Sequence, residues 1–224
     1  MEFNKDKTVA IIFDTEWYVP AEDRGPSLTS LKANPAKQSH RYLGGVFTRF
    51  YPLRDDVKPH TREIWAEGLT DSGERSALRK TYSFFSDSWK MLEGKDNSDP
   101  DLITIGTGIS RLDLPGLYVK SLTHGLDKSA NLYETFMKTK IVDLDEAAIP
   151  YLDKNTPRML YPVATNRIVS RFKIDAPRKE TGKKVWDMID SGNLDDVKLR
   201  TAGEVKVLTN IYNKLVEQIF KVKH

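Results

Sequence analysis

The chain has no cysteine. Disulfides, thiolate zinc sites and cysteine nucleophiles are therefore excluded. A reducing cytosol fits this absence without being required by it. No apolar run approaches the roughly 20 residues that span a bilayer. The stretch from Met1 to Lys7 is short and polar, and no secretory hydrophobic region follows it. A cytoplasmic protein with no membrane partner is the expectation. Charge of one sign is also scarce, since 35 Lys and Arg against 32 Asp and Glu leave +3. Net charge thus gives no argument for nucleic acid, although a local basic patch stays open. The histidines are only four, at positions 40, 60, 124 and 224, and they fall outside the motifs described below.

What is present suits one α/β domain over residues 1–224, with 39% hydrophobic and 30% charged residues. Thr8 to Phe13 (TVAIIF) is a β-branched apolar run and reads as a buried strand. Pro20 to Gln38 shifts to Pro, Gly, Ser, Asn and Lys and reads as a long loop. Arg41 to Leu53 is aromatic and β-branched and predicts one or two strands, with Gly44-Gly45 marking a bend or bulge. Leu78, Tyr82, Phe85, Trp89 and Leu92 recur at helical spacing and predict a helix over 73–92. Lys95 to Pro100 reads as a polar turn. Strands are expected at Asp101–Ile105 and Lys140–Asp143, and helices at 114–122, 162–172, 183–189 and 195–221. The alternation implies a mixed sheet with flanking helices.

Three groups of residues could carry chemistry. Asp14 and Glu16 stand at i and i+2 at the end of the first strand, so both point the same way. Paired acids of this kind repel unless a cation lies between them, and oxygen ligands suit Mg²⁺ or Mn²⁺. A solvated acidic strand end is the plainer alternative. Asp113 follows the strand and the glycine-rich 106–108 stretch, just ahead of a helix with Pro115 in its first turn. By itself it reads as no more than an N-cap, which is common at such a position. Glu204 falls on the apolar stripe of the last helix with Leu208, Ile211, Leu215 and Ile219, where a lone carboxylate is costly. Its partner is either Arg200, four residues back, or a metal shared with Asp14.

In this order the pieces resemble the DEDD superfamily of 3′–5′ exonucleases, which have a ribonuclease H-like fold. Phe13-Asp14-Thr15-Glu16 is similar to the family's first motif, and Leu112-Asp113-Leu114-Pro115-Gly116-Leu117 to its second. The stretch from Val185 to Tyr212 resembles the third region of the branch related to the family-B polymerase exonuclease domain. The departures are Glu204 for the last aspartate, Arg200 for the tyrosine of Tyr-x-x-x-Asp, Leu199 where the other branch has histidine, and Gly108-Ile109 for an Asn-Gly. Arginine cannot be a general base, but it can bind phosphate. Tyr161 and Tyr212 are candidate substitutes for the missing tyrosine.

The resemblance implies an α/β, ribonuclease H-like mixed central sheet flanked by helices. It implies two ions, Mg²⁺ or Mn²⁺, held by Asp14, Glu16, Asp113 and Glu204, with Arg200 in the catalytic group. The implied reaction is hydrolysis of the terminal phosphodiester of single-stranded DNA, as in DNA repair, with RNA left open. Trp17 and Tyr18 are candidates for stacking on terminal bases, with core packing the alternative for Trp17. Arg111, Lys183 and Lys184 are candidate nucleic-acid contacts, as are Arg41, Arg49, Arg54, Arg178 and Lys179. Assembly into a ring or dimer is left open. The rival readings are a catalytically weak or inactive module that binds single strands on the same fold, and a ribonuclease H-like endonuclease or recombinase core.

Overall fold

The computed structural model describes residues 5–25, 33–92, 101–152, 163–176 and 182–221, except for the side chains of 182, 183, 220 and 221. Five strands, β1 (Thr8–Tyr18), β2 (Arg41–Phe50), β3 (His60–Trp65), β4 (Asp101–Gly106) and β5 (Lys140–Asp143), form one sheet in the order β3-β2-β1-β4-β5. The pairs β1–β2 and β2–β3 are antiparallel, whereas β1–β4 and β4–β5 are parallel. Helices α1 (Asp71–Lys90), α2 (Asp113–Thr123), α3 (Ser129–Phe136), α4 (Leu144–Ala147), α5 (Thr165–Phe172), α6 (Gly182–Asp190) and α7 (Leu194–Lys221) flank it. The expected mixed α/β sheet is present. Among the described residues, no helix is long and apolar enough to cross a membrane.

Strand alternation divides β1 between two cores. Val9, Ile11, Phe13 and Trp17 face the layer of α1, α2 and α3, where Phe13 stacks on Phe47 at 5.5 Å and meets Phe85 edge-on at 5.8 Å. Ala10 and Ile12 face α4, α5 and α7 and join Val46, Ile168, Val205, Leu208 and Ile211. Each large apolar side chain buried in this way contributes about 1.5–3 kcal/mol. The start of β2 is fixed to α1 and α2 by the buried Glu74. Its carboxylate accepts from the Tyr42 backbone N–H at 2.7 Å and meets Lys120 at 3.5 Å, His124 at 3.0 Å and Arg41 at 3.3 Å.

Several boundaries differ from the sequence expectation. Strand β1 does not stop at Phe13 but continues to Tyr18, because its second half pairs with β2 as far as Arg41. Pairing of β1 with β4 ends at Ile12, so beyond that point β2 is the only strand neighbour of β1 among the described residues. The 41–53 segment contains one strand, β2, which ends at Phe50, and the ladder shifts register between Glu16 and Trp17, beside Gly44. Helix α1 begins at Asp71 rather than 73 because Thr70 caps it, accepting from the Gly73 N–H at 3.1 Å. Strand β3 and helices α3 and α4 were not expected. The run HTREIW shows its charges to solvent, as edge strands do, and so hides its strand character. The expected turn at 95–100, Tyr161, Pro162, Arg178, Lys179, His224 and the Lys183 side chain lie outside what is described, and the 162–172 helix is described as α5.

Candidate metal centre

On β1, Asp14 and Glu16 fall on the same side as Ala10 and Ile12, the side covered by α7. They lie just past the end of the β4 pairing, where the strand edge opens. Helix α7 is held to that side by Val205, Leu208, Ile211 and Leu215, and this packing points Arg200, Thr201 and Glu204 at β1. One carboxylate oxygen each from Asp14, Glu16 and Glu204 then lie within 4.8 Å of one another. A set of hard oxygen donors at that spacing could hold a metal ion.

A cation of the chain itself is already among them. The Arg200 guanidinium reaches Glu16 Oε1 at 2.9 Å and Glu204 Oε1 at 2.7 Å. The Arg200, Glu16 and Glu204 side chains are 14%, 11% and 12% exposed, so these ion pairs are shielded from water. The Thr201 hydroxyl lies 3.0 Å from Glu16 Oε1. Three carboxylates and one guanidinium, taken by themselves, sum to two negative charges. The sequence offered a salt bridge or a metal as alternatives for Glu204. The structure has the salt bridge and also places the carboxylates where a metal could be held.

Asp113 stands apart from this trio. It is the first residue of α2 and is buried, and its preceding residue, Leu112, is the cap position. Asp113 Oδ1 accepts from the Thr15 hydroxyl, and the Trp17 indole N–H reaches it at 3.4 Å. Thr15 and Trp17 alternate with Asp14 and Glu16, so Asp113 is engaged from the other face of β1.

The predicted nucleic-acid contacts are largely committed elsewhere. Trp17 is 5% exposed and packs beside Tyr42 in the core, so its ring is not presented for stacking. The Tyr18 hydroxyl donates to Asp190 at 2.8 Å, and Arg24 lies over its ring at 5.5 Å. Arg111 pairs with Asp145 at 2.5 Å and Glu146 at 3.2 Å. Arg41 pairs with Asp71 and Glu74, Arg54 with Asp6 and Asp56, and Arg49 lies over Phe84 at 5.2 Å. Lys184 is exposed. Tyr212 packs edge-on against Phe50 at 5.7 Å, well away from the role of a substitute for the missing tyrosine.

A second acidic group, Asp143, Asp145 and Glu146, could also hold a metal ion by the same spacing criterion. Sequence reasoning marked the KIVD strand but gave its last residue no role. Asp143 pairs across from Gly106 and ties down the loop after β4, accepting from the Gly108 N–H at 2.5 Å and the Ser110 hydroxyl at 2.7 Å. Asp145 packs beside it. Burial pushes the Asp145 carboxyl up to about 6, the hydrogen bond and charge of Asp143 add to this, and Arg111 opposes it. Burial works against the Asp143 charge too, but hydrogen bonds from Asp145, Ser110 and the Gly108 backbone hold its carboxyl below the ordinary range. The signal available in the sequence was the acidic run Asp143-Leu144-Asp145-Glu146 directly after a strand.

Comparison of the sequence with models of known protein families and with curated proteins finds no match.

Proposed function

We propose that this chain is a metal-dependent 3′–5′ exonuclease acting on single-stranded nucleic acid, DNA first, on a ribonuclease H-like fold. The observation that carries the reading is the meeting of Asp14 and Glu16 with Glu204, brought together from opposite ends of the chain at the open edge of β1. The sheet order, with two antiparallel steps on one side of β1 and two parallel steps on the other, is compatible with that fold. The position also suits a ligand site, since open α/β sheets bind ligands beyond the carboxyl ends of their strands.

In this reading Asp14, Glu16 and Glu204 would hold the ion. A bound divalent ion supplies a more acidic water and takes up charge on the leaving 3′ oxygen. The carboxylates fix its place relative to the strand end. Thr201 fixes the rotamer of Glu16. Arg200 supplies positive charge for the scissile phosphate, since it cannot take a proton from water. A second ion would draw on Asp113, whose Oδ1 is engaged with Thr15 and Trp17.

That engagement of Asp113, with the Arg200 ion pairs, favours a second reading: a module that binds single strands without cutting them. Single strands labelled at either end, incubated with purified protein and Mn²⁺, separate the two. The expected result is stepwise loss from the 3′ end that stops on chelation. Asp14→Ala should reduce the rate by more than the roughly 100-fold upper figure for losing an outer partner of a metal ligand, with an unchanged circular dichroism spectrum. Strands bound but left intact at every Mn²⁺ concentration would establish the second reading.

A further inference from the structure

We infer that Arg200 is a resident countercation of the Asp14–Glu16–Glu204 centre, and that a divalent ion must displace it in order to load. The inference rests on the metal reading of this centre but not on cleavage.

One guanidinium edge bridges Glu16 and Glu204, two of the three side chains that would ligate the ion, at 2.9 Å and 2.7 Å. A cation held by those carboxylates would compete with the guanidinium for their negative charge. The exchange is also demanded by burial. Three clustered carboxylates with little solvent repel one another strongly, because water no longer screens them, and a positive partner offsets that repulsion. Arg200 supplies that charge before metal arrives, which holds Glu16 and Glu204 close to each other. Its planar fork presents two N–H groups in fixed directions to the two carboxylates, where an ammonium is a point charge without that geometry. Once displaced, the guanidinium is left on α7 one turn before Glu204, beside the phosphate of any strand end at the centre. Metal loading and phosphate binding are thereby coupled through one side chain. The cost of displacement weakens metal binding, so the centre loads only at raised divalent concentration.

The test is Mn²⁺ titration of the full chain followed by electron paramagnetic resonance, alongside melting temperatures with and without Mn²⁺. Wild type should bind weakly. Arg200→Ala should bind Mn²⁺ at least about tenfold more tightly, as expected when a competing buried cation is removed. Without metal this variant should melt below wild type, and Mn²⁺ should raise its melting temperature by more than it raises that of wild type. Arg200→Lys, which keeps the charge but loses the fork, should fall between the two, and it provides the reading if the alanine variant does not fold without metal. Equal or weaker Mn²⁺ binding in both variants would overturn the inference, as would no binding in any of the three proteins. Tighter Mn²⁺ binding by Arg200→Ala, with no strand degradation by wild type at any Mn²⁺ concentration, would sink the nuclease reading and leave this one standing. Degradation by wild type with Mn²⁺ affinity unaltered by the substitutions would do the reverse.

Discussion

Asp145 and Asp143 show how one residue's surroundings decide its charge. Both are buried carboxylates at the end of β5, yet they are shifted in opposite directions. Asp143 collects the hydrogen bonds of the loop after β4, while Asp145 has burial and a neighbouring negative charge to contend with. The folded value for Asp145, about 6, lies above its unfolded value of about 4. Its favourable contribution to stability is therefore complete below about pH 4 and is lost as pH rises through about 6. Asp143 has the opposite sign and acts at lower pH, outside that window. Asp145→Asn removes the charge and keeps the shape, and Arg111 retains Glu146. The variant's urea midpoint should fall less than that of wild type between pH 4 and pH 7 and should exceed it above pH 6. Two parallel profiles across that range would show that folding does not raise the Asp145 carboxyl.

At the scale of elements, the centre depends on how closely β2 approaches β1. A side chain at Gly45 would place its Cβ 2.4 Å from the Asp14 carbonyl oxygen, and one at Gly44 would meet the Ile64 carbonyl oxygen at 2.1 Å. Gly44 also has a φ of +135°, open to glycine and little else. The obstacles are backbone, so Gly45→Ala forces the strands apart at the residue that carries the first carboxylate. The expected cost is about 1–3 kcal/mol in urea unfolding, the usual range for overpacking. The displaced Asp14 should also weaken Mn²⁺ binding. Retention of both stability and affinity would mean the ladder shifts without moving Asp14. The sequence marked this pair as a bend or bulge, and the register shift lies beside it. It marked the first half of β1 by its unbroken apolar run and the last helix by its long apolar stripe. Strand β3 left no such trace: four of its six residues face solvent, so there is no buried face for periodicity to report.

Across the whole molecule, the sequence made the order of the carboxylates legible but not which face of β1 each one meets. Asp14, Glu16 and Glu204 meet because strand alternation and the stripe of α7 are local rules that happen to agree. The position of Asp113 depends on the turn between β4 and α2, where Gly108, at φ +71°, and the hydrogen bonds of Asp143 set the direction of the chain. Asp143 belongs to a strand more than 30 residues further on, so no local pattern reports it. Arg200 reaching Glu16 as well as Glu204 is likewise a long-range event, since only the helical neighbour can be read from spacing. Helix α7 thus does two jobs that ought to be separable. Its apolar stripe anchors it to the sheet, and its first half carries the charged groups. Ile211 is fully buried in the core that α7 shares with the sheet and lies seven residues beyond Glu204, roughly 10 Å along the helix. Ile211→Ala should cost about 2–5 kcal/mol through the cavity it leaves. The Mn²⁺ affinity of the protein that remains folded should stay within about twofold of wild type, because distant sites on a rigid element act independently. Urea unfolding measures the first quantity and Mn²⁺ titration below the unfolding transition measures the second. A loss of affinity approaching that of Asp14→Ala would show that the carboxylates are positioned by the core under α7 as a whole, rather than by the helix's own geometry.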